Sequence, residues 1–121
     1  MPQLIGSPEP IDATGNKHKV CDEYVGLINT GDARVSITRM HSPSGWIGLA
    51  RYSDFHEYAL VLSGLLLVEH SAGTLEVEAG QAIHVEPGEE VIFSTPAEDG
   101  CEYLTVCVPA YSRAAVHEHA R

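Results

Sequence analysis

Short runs rich in Val, Ile, Leu and Tyr recur along this chain, and a turn signal containing Gly, Pro, Ser or Asp follows nearly every one. Residues 24–29, 34–41, 46–52, 57–63, 65–70, 74–78, 82–86, 91–95 and 103–108 are the runs. Thr30-Gly31-Asp32, Ser42-Pro43-Ser44-Gly45, Ser71-Ala72-Gly73, Ala79-Gly80, Pro87-Gly88 and residues 96–100 are the turns. An amphipathic helix needs about 10–12 uninterrupted residues, and these runs leave no room for one. Nine short strands, repeating roughly every 8–12 residues, predict an all-β sandwich or barrel. The chain has 121 residues, enough for one core. Residues 1–19, with Pro2, Gly6, Pro8, Pro10 and Gly15, read as an irregular N-terminal arm with room for one short strand. The barrel is expected over 20–111 and a tail over 112–121. Only Ser112–His119 has helical composition, with Ser112 placed to cap a last helical turn.

Charge narrows the partners. The formal net charge is -10, from 17 acidic and 7 basic residues, which argues against a nucleic-acid partner, because a phosphate backbone demands clustered Lys and Arg. A local cation in a pocket can still hold an acid. The first residues, MPQLIGSPEPIDA, carry neither a basic nor an apolar signal region, so no secretory signal is expected. The longest apolar stretch, 59–68, is too short to span a membrane. Cys21, Cys101 and Cys107 form no C-x-x-C pair and are odd in number, which suits free thiols in a reducing cytoplasm.

Two segments carry a family likeness. One is Glu57, six residues, then Gly64, within HEYALVLSG (56–64). The other is GQAIHVEPGEEVIFSTP (80–96), followed by CVPAYS (107–112). In order, and with a short hairpin between them, they resemble the two cupin motifs over about residues 33–109. The variant with a carboxylate just before Tyr and F-S-T-P in the second motif is most similar to the ethanolamine-utilisation Q-type cupins. The resemblance implies a double-stranded β-helix (cupin) barrel with a short C-terminal helical turn, a pocket inside the barrel, and commonly a homodimer.

Metal-binding cupins offer His-x-His and Glu from the first motif and His from the second. Those positions fall here on Ala50 and Tyr52 (or, shifted by one, Arg51 and Ser53), on Glu57 and on Val91. One carboxylate does not make a closed divalent site, so the resemblance implies a degenerate metal site, with no metal and no cofactor expected.

Strand alternation assigns the pocket side. If Glu57 points inward, so do Ala59 and Val61, while His56 and Tyr58 point away; Val91, Phe93 and Thr95 share the inward phase of their strand, and His84 faces out. Tyr103, Thr105 and Cys107 form one phase of the last long strand. Glu57 is the leading catalytic candidate, since a partly desolvated carboxylate suits acid/base work. The bland alternative is a structural ion pair. Either Arg51 or Tyr52 enters the pocket: Arg51 as a fork for a ligand carboxylate or as the partner that neutralises Glu57, Tyr52 as a catalytic donor to an oxyanion. Trp46, Phe93 and Tyr103 are candidate ligand-binding walls, and His41 a candidate at the mouth. Cys107 reads as a buried inert thiol, and His117-Glu118-His119 as a polar, frayed terminus in spite of its metal-like pattern.

Three functions remain open at this point. The chain is a metal-independent isomerase, cyclase or lyase using Glu57; or a module that binds a small polar molecule without chemistry; or a metalloenzyme pairing Glu57 with His41, His56 or His84. VLSGLLLVE (61–69) is apolar on both phases, which predicts an outer face covered by a second copy.

Overall fold

A computed structural model of the chain describes residues 1–119. Its strands are β1 (Glu9–Pro10), β2 (Val20–Val25), β3 (Ser36–Ser42), β4 (Trp46–Ile47), β5 (Ala50–Ser53), β6 (His56–His70), β7 (Gly73–Glu78), β8 (Ala82–Val85), β9 (Ile92–Thr95), β10 (Cys101–Val108) and β11 (Val116–His119). A single 3-10 turn, Arg113–Ala115, is the only helical element among the described residues. The all-β expectation with a short C-terminal helical turn therefore matches the molecule. Among the described residues no helix is long and apolar enough to cross a membrane.

The 15-residue β6 joins the two walls of the barrel. Its first half pairs with β10 and β8, in a wall that continues through β3 and β2 to β1. Its second half pairs with β7 and β9, and β9 pairs with β4. Every pairing is antiparallel, and β5 and β11 form a separate ribbon. The hinge is Gly64, at φ +82°, opposite Cys101. A Cβ there would stand 2.1 Å from the Gly100 carbonyl oxygen, so only glycine fits. The inward phase changes across this point. Glu57, Ala59 and Val61 face inward before Gly64, and Leu66 and Val68 after it. This is why 61–69 reads as apolar on both phases.

The core joins Leu66, Val68, Val77, Phe93 and Val91 at one end to Ala59, Val61, Val85 and Tyr103 at the other. Several strand expectations are corrected. Only the start of the run 24–29 is strand: β2 begins earlier and ends at Val25, and residues 26–30 turn because buried Glu23 accepts hydrogen bonds from the Ile28 and Asn29 backbones at 2.9 and 3.0 Å. The run 46–52 is two strands, parted at Gly48, whose amide bonds to the Phe93 carbonyl and where a Cβ would stand 2.9 Å from the Trp46 ring. Ser112 precedes the 3-10 turn without a side-chain cap. The frayed terminus is a strand over 116–119, paired with β5; the last two residues of the expected tail, 120–121, lie outside the described residues.

Candidate functional site

One cavity of about 160 Å³ opens inside the barrel. Its floor comes from inward rows on adjacent strands. Ser36, Cys107 and Glu57 sit side by side across β3, β10 and β6; Thr38, Thr105 and Ala59 form the next row, and Met40, Tyr103 and Val61 the third. The other phase of β3, with Ile37, Arg39 and His41, faces away. A wall that turns Ser and Thr inward lines a pocket rather than a solid core.

Glu57 is 6% exposed, and its carboxylate borders the cavity. Among the described residues its hydrogen-bond donors all belong to Arg51: Nη1 to Oε1 at 2.7 Å and Nη2 to Oε2 at 3.3 Å. Arg51 is fixed from two sides. Its backbone exchanges hydrogen bonds with Val91 at 3.0 and 2.8 Å, and its guanidinium lies 4.6 Å from the Phe93 ring centre. On the other side, Lys19 Nζ donates to Tyr103 Oη at 3.1 Å and stands 4.0 Å from the Trp46 ring centre. Tyr103 Oη is also 3.2 Å from Ser42 Oγ. Cys107 stays a thiol, because burial, with Glu57's charge added, pushes it up to about 12. It is no nucleophile at neutral pH.

The structure brings together Glu57, Arg51, Trp46, Phe93 and Tyr103 at this cavity. Two candidates lie elsewhere. Tyr52 alternates outward when Arg51 turns in; its ring stacks on His117 of β11, with centres 4.6 Å apart, and it does not line the cavity. His41 is exposed on the outward phase of β3, opposite Glu102, so it does not line the cavity either. His56 and His84 also lie outside, bonded to each other at 2.9 Å, with His84 stacked on Tyr58. The ligand set of Glu57 with these histidines is therefore not assembled, because the barrel wall stands between them. Among the described residues no group of three His, Cys, Asp or Glu is arranged to hold a metal.

The metal that many cupins carry does not fit these residues. Ala50 and Val91 offer no donor, Tyr52 faces away, and both Glu57 oxygens receive the Arg51 guanidinium.

Sequence reading missed Lys19, placed in the irregular arm, and the arm itself: Ile11 to Thr14 border the cavity, and Thr14 donates to Glu118 of β11. A lone Lys before a strand carries no pattern that singles it out. Thr38 and Met40 were legible as one phase of β3, but nothing in the run shows which phase turns inward. In the terminal H-E-H, His117 meets Asp54 at 3.1 Å and His119 meets Glu90 at 3.5 Å, so these groups bind β11 down rather than forming a site.

No family model matches the chain. It is 30% identical over 99 residues to the endoribonuclease YbeY of Myxococcus xanthus (strain DK1622). That match covers 82% of this chain and 34% of the relative, so the chain spans about a third of that curated protein's length. Among solved structures, the polyketide cyclase RemF from Streptomyces resistomycificus is similar over 100% of this chain and 87% of its own, with TM-score 0.78 and 19% identity. Streptomyces Pac13, described as a nucleoside dehydratase, is similar over 98% of this chain and 90% of its own, with TM-score 0.74 and 13% identity. A putative ethanolamine utilisation protein Q from Salmonella typhimurium LT2 is similar over 88% of this chain and 100% of its own, with TM-score 0.64 and 18% identity. Their shared architecture, with the Glu57 motif and the 80–96 motif in the expected strands, makes this chain a small cupin in fold.

Proposed function

We propose that this cupin binds a small polar molecule in its barrel and acts on it by metal-independent acid/base chemistry of the isomerase, cyclase or lyase kind. The observation that carries this reading is Glu57: a carboxylate 6% exposed at the cavity wall, fastened on one side only, by Arg51. A carboxylate so held has lone pairs left for a substrate proton, and it needs no second protein base. Arg51 fixes its orientation and supplies a positive charge beside any negative charge that develops on the substrate. The structural neighbours named a cyclase and a dehydratase support this class of reaction for the barrel, and the donor set at the former metal positions supports its being metal-free.

The test begins with a thermal-shift screen of small organic acids, followed by mass spectrometry for product from each molecule that binds. Glu57→Gln is expected to lower turnover by about 10²–10⁴-fold while keeping the ligand-induced shift. Turnover equal to wild type would remove Glu57 from the chemistry. A shift without product from the wild-type protein favours the non-catalytic binding module.

The same reading includes a homodimer in a reducing cytoplasm. Tyr58, Leu60 and Leu62 of β6 and Val108 of β10 leave the outer wall apolar and more than two-fifths exposed, an area a second copy would cover. Light scattering at micromolar concentration is expected to give twice the 13.1 kDa chain mass; the monomer mass contradicts it. The three cysteines are free and buried, as thiols of a reducing compartment are. The ribonuclease named for the Myxococcus relative is not carried over, because most of that protein lies outside the match.

A further inference from the structure

Three cations border the cavity, Lys19, Arg51 and Arg113, and they are not equivalent. Arg113 is exposed to solvent. Arg51 spends its fork on Glu57. Lys19 has no carboxylate: among the described residues it enters no ion pair. Its ammonium is instead held by the Trp46 face and the Tyr103 hydroxyl, two groups that fix the position of a charge without cancelling it. Tyr103 is in turn anchored at Ser42, and Trp46 and Tyr103 are both almost fully buried. Lys19 donates one of its three N–H groups to Tyr103, which leaves donors for a ligand. The chain as a whole is at -10 and Asp12 and Glu118 also border the cavity, yet neither forms an ion pair with Lys19. The walls beside Lys19 and Arg51 are flat and aromatic, from Trp46 and Tyr103 at Lys19 and Phe93 at Arg51.

We propose that the cavity takes a small carboxylate on a flat apolar body, and that Lys19, rather than Arg51, selects its charge. This rests on the reading of the cavity as the working site and names the substrate class for it. A carboxylate on Lys19 forms a charge-assisted hydrogen bond in a partly desolvated place, and its apolar body displaces water from the aromatic walls. Arg51 remains paired with Glu57, so the proton-handling group keeps its partner while the ligand is held elsewhere.

Trp46 is the one tryptophan of the chain, so its emission reports on this place alone. Benzoate and its uncharged counterpart benzamide are titrated against the full chain, with Trp46 emission and the ¹⁵N-edited indole N–H signal as readouts. Benzoate is expected to bind at least about tenfold more tightly than benzamide, a margin set by one charge-assisted bond. Lys19→Met is expected to abolish that preference and Lys19→Arg to keep most of it, with circular dichroism confirming the fold of each. Equal binding of the two compounds, no binding of benzoate, or a preference that survives Lys19→Met overturns the proposal. The experiment scores binding without turnover. A Glu57 found inert in catalysis therefore leaves its result standing, and a Lys19 that selects no anion leaves the Glu57 test as it was.

Discussion

The two halves of β6 obey the same alternation and do opposite work. After Gly64, Leu66 and Val68 face Val77 and Phe93 across the strand pairs, in a dry end of the barrel where, of these four, only Phe93 also borders the cavity. Before Gly64, Glu57 and Ala59 face Cys107, Thr105 and Val85, at the end that holds the cavity. The dry end uses complementary volume and carries stability. The cavity end places charge and hydroxyls inside the barrel and tolerates empty space there. Stability and chemistry are thus divided along a single strand, with a glycine at the division.

The sharpest break in that comparison comes from truncating each half. Leu66→Ala should cost about 2–5 kcal/mol by urea denaturation, because Leu66 is fully buried and its neighbours cannot collapse onto the space. Benzoate binding by the folded fraction should stay the same. At the other end, Arg51→Met strands the Glu57 carboxylate. The cost should be about 3 kcal/mol, at the low end for a broken buried pair since the Arg51 side chain keeps 18% exposure. Replacing both, as Arg51→Met with Glu57→Leu, should recover most of that stability in the same denaturation assay while abolishing turnover. A double variant as unstable as Arg51→Met alone would mean that the pair is structural.

A smaller effect is expected from alkaline pH. The folded Cys107 thiol is raised to about 12 and Cys101 to about 11, against 9.0 for the free group, in both cases chiefly by burial. Above 9 the unfolded chain releases these protons and the folded chain does not, so the folded state binds more protons there. Stability is therefore full below pH 9 and falls as pH rises through 9 toward 12. Cys107→Ala should flatten this decline in pH-dependent denaturation. The smallest change should come from Thr38→Val, within about 1 kcal/mol, because its hydroxyl borders the cavity and bonds to no described residue. The same exchange at the dry end, Val68→Thr, should cost more, since its hydroxyl would be buried without a partner.

The comparison also shows what was legible in the sequence. Turn residues and strand period fixed most elements, and the phase argument, with Glu57 taken as inward, put Phe93 on the same side and His56, Tyr58 and His84 outward, as they lie; for Tyr103 it gave only a phase shared with Thr105 and Cys107. The choice between Arg51 and Tyr52 was not legible. It depends on Val91 pairing with the Arg51 backbone across the barrel, a contact forty residues apart in the chain. Tyr52 and His41 were misplaced for the same reason: each sits in a short run whose inward phase is set by its neighbours. Lys19 was invisible, because its role comes from Trp46 and Tyr103 closing around it, two residues distant in sequence from it and from each other. Local chemistry thus predicted the strands, while long-range pairing decided which side chains share the cavity.

The central claim is that a carboxylate at the cavity end handles a substrate proton. The most direct measurement is proton NMR in D₂O of a carbon acid that the thermal-shift screen shows to bind, comparing the wild-type protein with Glu57→Gln. The account predicts that the wild type replaces a carbon-bound hydrogen of the ligand by deuterium, and that the variant does so at least about a hundredfold more slowly while still binding. Equal exchange rates in the two proteins would contradict it.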